Sequence, residues 1–364
     1  MAQALRLAEQ GLYTTDPNPR VGCVIVREHK IIGEGYHQVA GDAHAEVHAL
    51  RAAGEQARGA IVYVTLEPCA HHGRTPPCVD ALIAAGVSEV VFAVQDPNPR
   101  VAGKGMLALQ AAGIQVRWGL MSEQAELLNV GFISRMRRGR PWLRLKLAGS
   151  LDGRTALKNG ESQWITEEAA RTDVHQWRAR ASAIMTGSGT IMTDDPRLNV
   201  RWTAPHQSSP KIIPRVILDS QLRIPTTAKI FQHPGPVWLM SKAGLVARPA
   251  FLDDAQTPVE IIQISTNQDR RLHLPDVLNE LGRREINELH VECGETLAGA
   301  LLEAGLVDEL IVYLAPCILG RDARAMFGLS IINKLSARIT LEFADIRQVG
   351  RDLRIIAKPV FLNQ

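Results

Sequence analysis

The sequence predicts an α/β protein of two domains, and three observations carry that reading. At 364 residues the chain is longer than one ordinary domain. Short apolar runs alternate with helix-like stretches whose ends fall at glycines such as Gly86 and Gly113, the order of a parallel or mixed sheet covered by helices. A basic run ending in Gly139-Arg140-Pro141 interrupts the alternation and divides the chain into 1–139 and 140–364. Hydrophobic residues at 46% and charged residues at 22% are ordinary for a globular protein. A net charge of +3 is too small for a surface that coats nucleic acid, which speaks against a tRNA or DNA substrate. No uninterrupted apolar run approaches the roughly 20 residues of a membrane span. Five cysteines, an odd number with no secretory signal before them, point to a reducing cytoplasm.

The elements follow in order. Leu5, Leu7-Ala8 and Leu12 form a helical stripe, stopped by Gly11 and the breaker Thr14-Thr15-Asp16-Pro17. The chain begins inside this helix with no capping residue before it, so its start is expected to be truncated or assigned late. Residues 21–26 and 31–36 read as a hairpin about Glu28-His29-Lys30. Residues 44–53 read as a helix with Val47, Leu50 and Ala53 on its buried side. Residues 61–66 read as a buried strand. A helix over 77–85 has prolines at its start and Gly86 beyond its end. A strand over 87–94, a helix over 105–112, a strand over 114–118 and one helix over 123–136 complete the first domain. In the second, strands are expected at 142–148, 183–186, 216–219, 237–240, 259–264, 289–292 and 308–315. A C-terminal hairpin over 339–349 and 352–357 turns at Gly350. Thr166 is the expected cap of a helix over 167–181, whose first turn holds Glu167 and Glu168.

One stretch carries chemistry. It opens on His44-Ala45-Glu46 and closes on Pro68-Cys69 and Cys78. One histidine and two cysteines are three zinc ligands with an open fourth position, and the glutamate two residues on is the proton shuttle of the nucleobase-deaminase signature. Zinc brings the pKa of a bound water from about 15.7 towards about 7, and a carboxylate beside it moves the proton to the departing nitrogen. Eight residues separate the cysteines where the general signature has two. His48, His71 and His72 are within reach as a fourth ligand of a closed structural site, but Glu46 and the strand exit Thr65-Leu66-Glu67-Pro68 favour the catalytic reading. The sequence Asp-Pro-Asn-Pro-Arg-Val occurs twice, from Asp16 and from Asp96, so that Asn18, Asp96 and Asn98 fall in Asx-Pro turns. Of these, Asn18 suits a pyrimidine's polar edge. In the second half, Gly187-Ser188-Gly189-Thr190 and Gly294 to Gly299 each join a strand to a helix, where free N–H groups bind phosphate. Neither completes a Rossmann or P-loop signature. Glu292, ending an apolar strand, needs a partner.

The insert Cys69-Ala-His-His-Gly-Arg-Thr-Pro-Pro-Cys78 resembles the bifunctional riboflavin-biosynthesis family, a pyrimidine deaminase fused to a reductase. Thr15 to Gly22, Gly35-Tyr36-His37, Leu145 to Gly153 and Glu161 to Thr166 resemble it too, so the likeness spans both domains. It implies a cytidine-deaminase-like zinc domain followed by a dihydrofolate-reductase-like domain that binds NADPH. It implies one zinc per chain on His44, Cys69 and Cys78, with Glu46 as acid and base. Asn18, His37, His71, Arg74, Asp96 and Asn98 become the deaminase substrate contacts, Arg74 by a fork on the ribose phosphate. Ala148, Trp164, Thr190, Asp194, Ser220 and the run Gly294, Glu295, Thr296, Leu297, Ala298, Gly299 and Ala300 become cofactor contacts. Lys146, Ser162, Arg178, Leu198, Arg201 and Glu292 face the reductase substrate, two of them arginines suited to a phosphorylated sugar. The implied partners are phosphorylated pyrimidines and further copies of the chain, with no nucleic acid and no membrane. A nucleoside or tRNA deaminase with an appended nucleotide-binding domain is the alternative. It predicts a two-residue cysteine spacing and a more basic groove.

Overall fold

A computed structural model describes residues 1–71, 76–99, 101–205, 207–244 and 257–361. Two compact units, Met1–Arg140 and Pro141–Gln364, each have their own core.

The first unit runs α1 (Ala2–Glu9), β1 (Gly22–Arg27), β2 (Lys30–Tyr36), α2 (Ala45–Ala53), β3 (Ile61–Leu66), α3 (Cys78–Ala85), β4 (Glu89–Val94), α4 (Lys104–Ala111), β5 (Gln115–Trp118), α5 (Ser122–Leu128) and α6 (Val130–Arg138). Its sheet has the order β2-β1-β3-β4-β5. β1 is antiparallel to both neighbours, and β3, β4 and β5 are parallel, so the sheet is mixed. Cys23, Ile25, Val62, Val64 and Phe92 fill its centre.

Two expectations for this unit need correction. The buried side of α2 is Ala45, Glu46, Ala49 and Ala53, while Val47 and Leu50 are only half-buried. The reason lies in β2. A Cβ at Gly33 would stand 2.3 Å from the carbonyl oxygen of Ala49, and one at Gly35 would stand 2.5 Å from that of Ala45. Only glycine strands under an alanine face admit so close an approach, and it fixes where Glu46 points. The single helix expected over 123–136 is two helices broken at Asn129. The Asn129 amide accepts from the Arg20 backbone N–H at 2.8 Å and donates to the Arg20 carbonyl at 2.9 Å. This side chain acts as a peptide group for a distant segment, and that tie outweighs helical continuity.

The second unit runs β6 (Trp142–Ser150), β7 (Arg154–Ala156), α7 (Glu168–Arg180), β8 (Ala183–Gly187), α8 (Ser188–Asp194), β9 (Arg215–Leu218), β10 (Val237–Lys242), β11 (Val259–Ile264), α9 (Leu274–Arg283), β12 (Glu288–Glu292), α10 (Glu295–Glu303), β13 (Glu309–Ala315), β14 (Arg324–Ala325), β15 (Thr340–Val349) and β16 (Asp352–Val360). Among the described residues nine strands form one sheet, β11-β10-β9-β8-β12-β6-β13-β16-β15. The first seven are mutually parallel, and β16 and β15 add an antiparallel hairpin at one edge. Its centre is continuous aliphatic packing (Leu143, Leu145, Val216, Leu289, Val291), as parallel strands covered on both faces require.

Thr166 does not cap α7. The cap position is Glu167, whose backbone N–H donates to Asp352 Oδ2 at 2.8 Å. A carboxylate brought from β16 therefore fixes the backbone of the cap residue, and no side chain caps the helix. Helix α9 was not foreseen. Its Leu274, Val277, Leu278 and Leu281 have helical spacing, and Pro275 lies in its first turn.

Candidate functional site

In the first unit the ends of three elements converge. His44 is the N-cap residue of α2, Cys69 follows β3, and Cys78 opens α3. Cys78 Sγ lies 3.1 Å and Cys69 Sγ 3.6 Å from His44 Nδ1, and the three ligand atoms fall within 4.8 Å of one another. Tetrahedral zinc with usual bond lengths separates nitrogen from sulfur by roughly 3.6 Å, so the set fits the ion with a small outward shift of Cys78. Among the described residues no fourth histidine, cysteine or carboxylate joins the cluster. His48 Nε2 is buried, has no hydrogen-bond partner among the described residues, and lies outside the cluster. Three protein ligands are the number that catalytic zinc sites use, where structural sites use four.

The electrostatics suit a metal. A hydrogen bond from the Cys78 thiol, helped by His44, pushes Cys69 down to about 4, while the shared proton and burial push Cys78 up. The backbone N–H of Cys78 also donates to Cys69 Sγ at 3.3 Å. Glu46 is 3% exposed, next to all three ligands. Burial raises its pKa, opposed by the charge of His44 and reinforced by that of Cys69, so the carboxyl is readied to hold a proton.

His37 stacks edge-on to His44 with ring centroids 5.4 Å apart. Its Nδ1 lies 3.2 Å from the Ala43 carbonyl, and its Nε2 3.1 Å from the Asn18 amide nitrogen. Nδ1 therefore carries the proton and Nε2 accepts from Asn18, and burial keeps the ring neutral by lowering its pKa. Asn18 and His37 thus flank the metal set as a pair. Asp96 is 8% exposed and accepts from the Asn98 backbone N–H at 2.8 Å, an Asx turn. Burial pushes Asp96 up to about 6, and neighbouring His71 and Cys69 act on it with opposite sign. His71 is exposed at this same end. Arg74 and His72 lie outside the described residues.

The second unit holds a cavity of about 1470 Å³ at the carboxyl ends of its parallel strands, where open α/β sheets bind ligands. Of the expected cofactor contacts, Ala148, Trp164, Thr190, Asp194, Ser220, Gly294 to Leu297 and Ala300 line it. Ala298 and Gly299 do not. Ala298 is fully buried, and a Cβ at Gly299 would stand 2.1 Å from the Gly328 carbonyl oxygen. The run 294–300 winds into α10, so only one side of it faces the cavity. Gly187 and Gly294 are the N-cap residues of α8 and α10 on the cavity wall. A Cβ at Gly189 or Gly294 would meet nothing within 4 Å, which leaves backbone accessible to a ligand.

Lys146, Ser162, Arg178, Leu198, Arg201 and Glu292 all line the same cavity. Arg178 and Glu292 face each other: Nε donates to Oε1 at 2.5 Å and Nη2 to Oε2 at 2.9 Å, while Nη1 donates to the Asn199 carbonyl at 3.0 Å. Burial would raise the Glu292 pKa, but Arg178, His290 and Lys146 together hold it well below the carboxylate range. Burial lowers the Lys146 pKa. His175 and Arg171 on α7 escaped sequence reasoning. Arg201 aims its backbone N–H and its Nε at the two ring nitrogens of His175, at 3.2 and 2.9 Å. Burial and two nearby arginines push that histidine down to about 4, so the ring is neutral and only one of its two nitrogens can accept; the other carries the proton. Arg171 stacks over the exposed Trp164 ring at 4.4 Å and donates to the Thr166 carbonyl at 2.8 Å. Helical spacing from Arg178 (i−3, i−7) was the available signal for both.

Comparison with known proteins agrees over both units. Residues 141–355 match the family described as RibD C-terminal domain, and residues 1–94 match the cytidine and deoxycytidylate deaminase zinc-binding region. The chain is 52% identical over 363 residues to riboflavin biosynthesis protein RibD of Escherichia coli K12, covering 97% of this chain and 96% of that protein. It is 48% identical over 369 residues to the protein of the same name from Haemophilus influenzae Rd, covering 99% and 96%. Among solved structures, RibD of Acinetobacter baumannii (form 1) superposes with a TM-score of 0.90 at 46% identity, covering 99% of this chain and 98% of that one. A Thermotoga maritima structure described as a diaminohydroxyphosphoribosylaminopyrimidine deaminase/5-amino-6-(5-phosphoribosylamino)uracil reductase superposes at 0.84 with 31% identity, covering 99% and 97%.

Proposed function

This chain belongs to the RibD family and is a bifunctional deaminase and reductase of riboflavin biosynthesis, and from that premise we propose which residues perform each step. The first unit is cytidine-deaminase-like and the second is the dihydrofolate-reductase-like domain. The observation that carries the assignment is the three-ligand set beside a buried glutamate. The substrate of the first unit is 2,5-diamino-6-ribosylamino-4(3H)-pyrimidinone 5′-phosphate, and the products are the uracil and ammonia. His44 Nδ1, Cys69 and Cys78 would hold one zinc ion per chain, which would supply an activated water at neutral pH. Glu46, buried beside the three ligands, would accept the proton of that water and pass it to the leaving amine. Asn18, held by His37, and the Asp96–Asn98 turn orient the pyrimidine ring, and Arg74 binds its phosphate.

The second unit takes the ring-opened ribosylamino group of 5-amino-6-(5-phosphoribosylamino)uracil to ribitylamino. NADPH supplies the hydride. The N-cap turns at Gly187 and Gly294 receive its pyrophosphate, Trp164 is held over the mouth by Arg171, and Arg201, steadied by His175, faces the sugar phosphate. Because Arg178 is committed to Glu292, this fork presents a fixed, charge-neutral wall to the sugar and leaves phosphate recognition to Arg201. We place the protein in the cytoplasm. Five unpaired cysteines support this. The chain also forms a homo-oligomer, in keeping with β15, an edge strand that exposes Leu341, Phe343 and Ile346; a monomer by light scattering contradicts it.

The direct test is ammonia release from the diaminopyrimidine phosphate, followed by nicotinamide oxidation. The expected result is ammonia without added cofactor, and oxidation of NADPH in preference to NADH once deaminated product is present. Ammonia release without any nicotinamide oxidation contradicts the reductase assignment.

A further inference from the structure

Glu67 is a buried acid with an unusual set of partners. Its side chain lies in a residue only 3% exposed, two positions before Cys69. One carboxylate oxygen accepts the backbone N–H of Asp96 at 3.2 Å and of Gly103 at 3.0 Å, and the other accepts that of Met106 at 3.1 Å. Its own N–H donates to the Val94 carbonyl at 2.8 Å, so its backbone is fixed to the end of β4. Across the same junction, a Cβ at Gly105 would stand 2.1 Å from the Pro68 carbonyl oxygen, so the first turn of α4 rests directly on the strand exit that carries Cys69. Asp96 in turn accepts from Asn98. One side chain therefore sets the height of the Asp96–Asn98 turn relative to a metal ligand.

We propose that Glu67 is a positioning residue for deamination: it holds the Asp96–Asn98 turn in register with Cys69, so that the pyrimidine ring meets that turn and the metal site together. Glu67 touches no reacting atom. The inference rests on the reading above, in which Asp96 and Asn98 meet the substrate. A carboxylate is required because the three donors use both oxygens. Glutamine has the same shape but offers one oxygen and one NH₂ group, so in either orientation of its amide an N–H is turned against a backbone N–H.

The test uses zinc-loaded enzyme carrying Glu67→Gln or Gly105→Ala, which disturb the junction from opposite sides by different means. Contacts to a correctly placed turn are made alike by bound substrate and transition state, and losing them raises KM more than it lowers kcat. The expected result in both variants is a KM for ammonia release raised about tenfold or more, with kcat within about threefold of wild type. Zinc content and NADPH-dependent reduction of the deaminated product stay at wild-type levels. A KM unchanged in both variants, beside a wild type that releases ammonia, overturns the inference and leaves the proposed function standing. Loss of zinc together with activity also overturns it, because Glu67 would then serve the cysteine loop and not the substrate turn.

Discussion

Replacing Glu46 by glutamine is expected to lower kcat for ammonia release by about 10²–10⁴-fold, the contribution of a positioned general acid–base group. Glu46 is buried at the first turn of α2, with His44, Cys69 and Cys78 as its charged or titratable neighbours. Glutamine keeps the volume and cannot carry the proton. The side chain is outside the three-ligand set, so the variant should hold as much zinc as wild type. Its KM should change little, since the loss falls on an interaction made in the transition state. Reduction of the deaminated product by the second unit is the internal control and should persist. A variant that still deaminates at near wild-type rate removes Glu46 from the mechanism and turns the metal set into a structural site.

The second large effect is expected at Arg178. Its guanidinium and the Glu292 carboxylate are 12% and 15% exposed. Arg178→Ala leaves a desolvated carboxylate without its main counter-charge, which costs about 3 kcal/mol, or roughly 6–12 °C in the melting of a unit of this size. Reduction should fall about 100-fold or more, because Glu292 loses the main charge that holds it ionised. Deamination should be untouched. The double variant Arg178→Met with Glu292→Leu separates stability from chemistry. Apolar replacement of a whole ion pair tends to restore stability, so melting should recover while reduction stays lost. If reduction survives in Arg178→Ala with unchanged KM, the fork is scaffold outside the substrate path.

Much of this fold is legible in the sequence. The strand runs are contiguous apolar stretches whose glycine punctuation is local, so β3, β4 and the seven parallel strands of the second unit stand where the pattern put them, within a residue or two. The three zinc-type ligands were readable because the signature fixes residue type, and the fold brings elements separated by 25 and 34 positions to one point. What escaped is what long-range contacts decide. No local signal breaks the helix at Asn129, because its partner is the backbone of Arg20, 109 residues away. The alanine face of α2 is set by glycines on β2. A contiguous cofactor run cannot all face one cavity once it is wound into α10, which turns Ala298 and Gly299 inward. Arg178 and Glu292 were singled out separately, and their mutual fork spans 114 residues of sequence. Glu67 lies in the strand exit before Cys69, but its role depends on three backbone donors 29 to 39 residues further on.

The central claim is that one chain holds two independent chemistries, one needing the His44–Cys69–Cys78 metal and one not. The most direct measurement strips zinc from the purified protein with a chelator and follows both half-reactions before and after zinc is returned. Ammonia release is expected to disappear and to recover with zinc. NADPH oxidation on deaminated substrate should continue throughout. Deamination that persists in metal-free enzyme would contradict the account.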